Sequence, residues 1–283
     1  SIIKAALFFA VVTVSLGVKS QVLTQTDAQQ LIDQDGHAEI PSYYTEIAQS
    51  AFRNNSSLKS VVIPDSISYI GEYAFDNSGL RYLHIGSGLT SDDSVQSYSF
   101  SGILDHLRSL TVNSPISISA SGLNLRQRRY GYGSYYLTAS NLSELNLSAV
   151  TRIESYVFSS SRLESLVIPG SVTSIGYQAF MNAKIDSLVL HEGVETINSE
   201  AFMGNQIENL VFPNSVTNIG SSAFYNNQIE EVQFGESLKT IGDSAFKGNR
   251  LVDINFPDAL ESIGNNAFEW NRLETIKVGA GFS

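Results

Sequence analysis

The stretch Arg126-Gln127-Arg128-Arg129-Tyr130-Gly131-Tyr132-Gly133-Ser134-Tyr135-Tyr136 concentrates three guanidinium groups and four phenols in eleven residues. Arg and Tyr are common hot-spot residues of protein interfaces, the first through a charged fork of donors, the second through a rigid ring with a polar tip. The chemistry on offer is therefore recognition. Groups suited to covalent chemistry are scattered. His37, His84, His106 and His191 show no metal-ligand spacing, and His84 and His191 fall at strand exits or loops, so they read as solvated side chains. Asp33-Gln34-Asp35-Gly36 invites a calcium reading, but Leu31 and Ser42 stand where the loop would need acids, so a turn is expected. No Ser-His-Asp order, nucleophile elbow, Walker loop or dinucleotide fingerprint occurs. The chain has no cysteine, which excludes disulfides and thiolate metal sites. Its net charge of −11 argues against nucleic acid and anionic membranes as partners. No enzymatic activity and no cofactor are expected.

The elements that hold these residues repeat. Phe158, Phe180, Phe202, Phe224, Phe246 and Phe268 follow one another at steps of 22 residues. Five positions after each comes an aliphatic (Leu163, Ile185, Ile207, Ile229, Leu251, Leu273), and three further on another (Leu166, Leu188, Leu210, Val232, Ile254, Ile276). A fixed period in this range marks a solenoid. Leu166-Val167-Ile168 alternates inward and outward as a strand does. One short strand per coil, always at the same phase, must stack in parallel on its neighbours. Val172 and Ile175, with their counterparts, turn the chain back, and Gly176, Gly220, Gly242 and Gly264 follow where a bend with relaxed φ is expected. Asn205, Asn227, Asn249 and Asn271 form a second column, suited to satisfying backbone groups of adjacent coils; Ser161 and Ala183 break it.

The phrase Leu-x-x-Leu-x-Ile-Pro-x-Ser-Val-Thr-x-Ile-Gly-x-x-Ala-Phe, running from Leu163 to Phe180, resembles the BspA-like leucine-rich repeat. The likeness extends from about Ile40 to Val278, and the chain departs from it in lacking the family's frequent cysteine near the Asn column. The fold expected is a β-rich solenoid of right-handed stacked leucine-rich-repeat coils of about 22 residues, with a parallel β-sheet on one face. The resemblance implies a bacterial or protist surface protein that adheres to host or neighbouring-cell proteins.

Lys4 followed by the apolar run Ala5–Val14 and the end Val18-Lys19-Ser20 reads as a secretory signal over 1–20, cleaved before Gln21. The run is shorter than the roughly 20 residues a spanning helix needs, so no stable membrane span is expected after cleavage. Residues 21–36 read as an N-terminal cap, with a short helix capped by Thr26 or Asp27. The solenoid is placed at 37–278, about ten coils, and 279–283 as an incomplete coil. Ser91-Asp92-Asp93-Ser94 reads as a solvated loop. The step from Leu107 to Leu142 is 35 residues, one coil plus 13, which places an insertion near 124–139.

The residue after each strand-opening aliphatic reads Lys59, Arg81, Arg108, Ser143, Glu164, Asp186, Glu208, Glu230, Val252, Glu274, and the column changes sign at the insertion. Arg162, Lys184, Arg250 and Arg272 precede the strand openings of the acidic half and read as compensating partners. The basic half has no such acids. Lys59, Arg81 and Arg108, with Tyr82 facing outward beside them and Arg126, Arg128, Arg129, Tyr130, Tyr132, Tyr135 and Tyr136 from the insertion, form the candidate contact site. The partner expected is a protein with an acidic segment, or a sulfated glycan. The functional reading is a secreted or cell-surface protein-binding and adhesion module. Two alternatives stand beside it: a structural spacer or targeting appendage of a larger exported protein, and a glycan binder.

Overall fold

The computed structural model describes residues 21–104, 106–118 and 141–279, and throughout them the chain coils around one axis as a parallel β-solenoid. Each coil contributes a three- or four-residue strand to one face. There are eleven such strands among the described residues, from His37–Glu39 to Thr275–Lys277, one more than the repeat spacing suggests. Register follows the period: Ser165 pairs with Ser187, Leu166 with Leu188, Val167 with Val189 and Ile168 with Leu190. The inward side chains, Leu166 and Ile168 among them, are buried, and the outward Val167 is 49% exposed.

A second ladder, absent from the sequence reading, runs along the return limb of the coils. The Val-x-x-Ile segment closes each coil with a two-residue strand, and seven of these pair in parallel from Ser117–Ile118 to Ser262–Ile263. Three more, Val22–Leu23, Glu46–Ile47 and Tyr69–Ile70, form a separate ladder at the N-terminal end.

Between the two ladders lies the core. The Phe rings stack face to face along the axis: the centroids of Phe180 and Phe202, of Phe202 and Phe224, and of Phe224 and Phe246 are each 5.4 Å apart. The chain around each Phe is tightly turned. Residues two before and two after it adopt the left-handed region, as at Ser222 (φ 55°) and Asn226 (φ 55°), with Gly204 and Gly248 taking the second position in other coils.

The Ile-Gly corner has a different cause from the one expected. None of Gly176, Gly220, Gly242 and Gly264 has a positive φ. A Cβ on Gly220 would lie 2.4 Å from the backbone nitrogen of Ser199 in the coil below, and one on Gly242 2.5 Å from that of Ser221. The requirement is close approach of two coils, not backbone freedom.

The Asn column works as anticipated. Asn227 Oδ1 accepts from the Ile207 N–H, and its Nδ2 donates to the carbonyls of Phe202 and Phe224. Asn205, Asn249 and Asn271 repeat the arrangement. Where Ala183 interrupts the column, its own carbonyl accepts from the Leu163 N–H at 2.9 Å, standing in for the missing amide oxygen. Ser161 is buried, and its hydroxyl has no partner among the described residues.

Two local expectations change. The helix is Gln25–Gln30, capped by Thr24 and not by Thr26 or Asp27: Thr24 Oγ1 accepts from the Asp27 N–H. The carboxylate three positions in is what sets the start, since Thr24 Oγ1 also donates to Asp27 Oδ2 at 2.6 Å. Nor is the 91–94 segment merely solvated. Residues Asp92–Ser94 form a 3-10 turn, and the Asp92 carboxylate accepts from both the N–H and the hydroxyl of Ser117. Asp92 thereby spans the gap between the two short-strand ladders. Asp33-Gln34-Asp35-Gly36 is a turn, with Asp33 Oδ1 accepting from the N–H groups of Asp35 and His37.

Candidate interaction surface

The charged column is built by the backbone. Each of its residues sits one position before a strand of the outer ladder, where the amide of one coil reaches the carbonyl of the last. Lys59 N–H donates to Gly36, Arg81 to Lys59, Arg108 to Arg81 and Ser143 to Arg108, at 2.7–2.9 Å. The side chains of Lys59, Arg81 and Arg108 are exposed on one rim. Tyr82, 46% exposed, begins the strand Tyr82–Ile85 between Ser60 and Ser109. His84 lies inside that same strand, half-buried, and not at its exit. Lys59 Nζ donates to the Asp35 carbonyl at 3.2 Å, and none of the three cations forms an ion pair with a described residue. Arg126, Arg128, Arg129, Tyr130, Tyr132, Tyr135 and Tyr136 lie outside the described residues.

The acidic half continues the same rim. Asp186 N–H donates to the Glu164 carbonyl at 2.9 Å and Glu230 N–H to that of Glu208 at 2.8 Å. Compensation there is thinner than the sequence implies. Arg250 meets Glu230 at 3.6 Å, but Arg162, Lys184 and Arg272 pair with no described acid. The cation and the acid are two positions apart on opposite sides of a buried aliphatic, so only a reach to the coil below closes the distance. Glu164, Asp186 and Glu208 are exposed and form no ion pair among the described residues.

At the change of sign the outer ladder opens, as it does again between Ser187–Leu190 and Asn209–Val211 and between Glu231–Gln233 and Asp253–Asn255. Strand Glu144–Asn146 pairs with Ser109–Val112 but not with Ser165–Ile168. The short ladder stays in register there through Ile153 and Ile175. An open groove of about 310 Å³ lies there, edged by Ser109, Thr111, Ser143, Glu144, Asn146 and Ser165.

Among the described residues no cluster of three or more His, Asp or Glu is placed to hold a metal ion. Nor is any helix there long and apolar enough to cross a membrane. The arrangement can present charge and stacked side chains to another surface.

The profile of the BspA type leucine rich repeat region matches the chain in six copies, over residues 36–124, 94–186 and 173–283. A comparison with curated proteins finds no match. Among solved structures, a leucine rich cell surface protein from Faecalibacterium prausnitzii is similar at 22% identity, covering 87% of this chain and 79% of the other, with a TM-score of 0.41. A leucine-rich repeat protein from Bacteroides ovatus is similar at 18% identity, covering 87% and 82%, with a TM-score of 0.40.

Proposed function

The chain belongs to the BspA-type leucine-rich repeat family, and from that membership we propose that it is an exported surface module that binds another macromolecule, acting as a scaffold and not as a catalyst. The observation that carries the reading is the basic rim. Three cations stand on successive coils in a chain of net charge −11, stacked by consecutive backbone hydrogen bonds and without an acidic partner among the described residues. Like charges on adjacent coils repel, and an anionic partner relieves that cost. The partner class is an acidic protein segment or a sulfated glycan, and the Arg126–Tyr136 stretch supplies further Arg and Tyr for such a contact. Residues 1–20 supply the export signal, so exported protein begins near Gln21 on N-terminal sequencing.

Immobilised polyglutamate and heparin test the contact. The chain should be retained at low salt and released as salt rises, because exposed attraction is screened within about 10 Å at 0.1 M. Joint replacement of Lys59, Arg81 and Arg108 by Ser should abolish retention and leave the thermal midpoint nearly unchanged. The same should follow for Arg126, Arg128 and Arg129. Replacing Glu164, Asp186 and Glu208 by Ser should preserve retention. Loss in the acidic variant with retention in the basic ones would place the contact on the wrong half of the rim.

A further inference from the structure

The order of charges along the rim is antisymmetric about Ser143. One step either way lie Arg108 and Glu164, two steps Arg81 and Asp186, three steps Lys59 and Glu208. At the fourth step the pattern stops on both sides together: Gly36 carries no charge, and Glu230 is already held by Arg250 at 3.6 Å. Three exposed cations without an ion pair among the described residues are thus matched by three exposed acids without one there. Where the outer strands pair, from Lys59 to Ser143 and from Glu164 to Asp186, the interval is about 4.8 Å per step; they do not pair between Ser143 and Glu164 or between Asp186 and Glu208. A column with this order is complementary to itself turned end for end.

We propose that the partner of this rim is a second copy of the chain, docked antiparallel across a two-fold axis midway between Arg108 and Glu164. Arg108 of each copy then meets Glu164 of the other, Arg81 meets Asp186, and Lys59 meets Glu208. Such an interface is isologous, with every contact made twice, and six ion pairs form. Ser143 is exposed between Arg108 and Glu164, so its two copies come close to each other beside the axis. Next to the acids the outer sheet face carries the exposed column Val167, Val189 and Val211, at 49, 45 and 58% exposure. In the antiparallel pair that column lies opposite Thr111, His84 and Val62, the outward residues of the basic coils. The proposal rests on the contact reading above and names its partner.

Sedimentation equilibrium of the purified chain is the first measurement. A monomer–dimer equilibrium should appear, with the dissociation constant weakening about tenfold or more between low and high salt. The triple variant Lys59→Glu, Arg81→Glu, Arg108→Glu should be monomeric, as should Glu164→Lys, Asp186→Lys, Glu208→Lys. Mixed, the two variants should form a one-to-one heterodimer, which also shows that each is folded. Because the chain has no cysteine, Ser143→Cys gives a clean geometric check: a short bis-maleimide should join two copies through that residue. Lys59→Cys alone should not cross-link, whereas Lys59→Cys mixed with Glu208→Cys should. A wild-type monomer at all concentrations and low salt overturns the proposal, as does a dimer whose variants fail to complement. If that monomer still binds polyglutamate through Lys59, Arg81 and Arg108, the contact reading survives and only the self-pairing falls.

Discussion

Removing two adjacent asparagines of the inner column should cost more than the sum of removing each. The carbonyl of Phe224 accepts from Asn227 of its own coil at 3.2 Å and from Asn249 of the next at 2.9 Å. The Phe202 carbonyl is shared in the same way by Asn205 and Asn227. Asn227→Ala therefore deletes three buried hydrogen bonds but leaves both carbonyls with one donor each. Only the Ile207 N–H loses its sole acceptor, and the backbone at Ala183 shows how a carbonyl can turn to replace it. At a net value of about 0.5–1.5 kcal/mol per bond, the single variant should lose about 2 kcal/mol, and Asn249→Ala the same. In the double variant the Phe224 carbonyl is buried with no donor at all. That orphan adds about 1–3 kcal/mol beyond additivity. The pair Asn205→Ala and Asn249→Ala shares no carbonyl, so it should be additive within about 0.5 kcal/mol.

Urea denaturation of the wild type, three singles and two doubles measures both couplings. Amide exchange at Ile207 and Ile229 gives a local readout, since stability in a solenoid is a sum over coils and neighbours. Equal couplings for the adjacent and the spaced pair would refute the shared-carbonyl argument.

Three other changes probe the same frame. Phe224→Ala, at a ring wholly buried between Phe202 and Phe246, should cost about 3–5 kcal/mol, whereas deletion of residues 203–224 should cost much less because equivalent positions rejoin; an unfolded deletion beside a silent Phe224→Ala would break the register. Gly248 has φ 73° and ample room for a Cβ, its nearest neighbour being 3.7 Å away, so Gly248→Ala should cost about 1–2 kcal/mol for backbone strain alone and Gly248→Asn less, since Asn226 holds that conformation one coil earlier; equal costs in thermal melts would count against it. The N–H of Ser87 holds the Asp65 carboxyl below its usual range, so its contribution is complete above the unfolded value of 3.8 and is lost as pH falls through the lower folded value. Asp65→Asn should therefore flatten the acid limb of a stability–pH curve, and an unchanged limb would contradict that.

What could be read from the residues was whatever repeats with a long side chain. Phe at every twenty-second position, the aliphatics of the outer strand and the Asn column each leave a periodic trace, and stacking turned each trace into a ladder. The second ladder left almost none. Two residues per coil, such as Thr196 and Ile197, are too few for strand alternation to show, and their pairing is imposed by the neighbouring coils. Gly220 was visible, but its reason was not, because the clash it avoids is with Ser199 in another coil. Ala183 looked like a defect, and the backbone repaired it. The rim was legible in order and sign. Its state of pairing was not, since whether Arg250 or Arg162 finds an acid depends on side-chain reach across coils.

The two ladders are never interrupted at the same level. The outer one is open between Asn146 and Ser165, between Leu190 and Asn209 and between Gln233 and Asp253, where the short one runs on through Ile118, Ile153 and Ile175, through Ile197 and Ile219 and through Ile241 and Ile263; the short one is open between Val95 and Ser117, where the outer one runs on from Ile85 to Val112. Masons offset the joints of successive courses for the same reason. A pull along the axis meets no plane that can be torn without breaking a paired strand, so a crack begun at one opening must turn sideways through the Phe stack before it can reach the next. Stretched between two anchors, such a rod would yield in single-coil steps and not part at a seam.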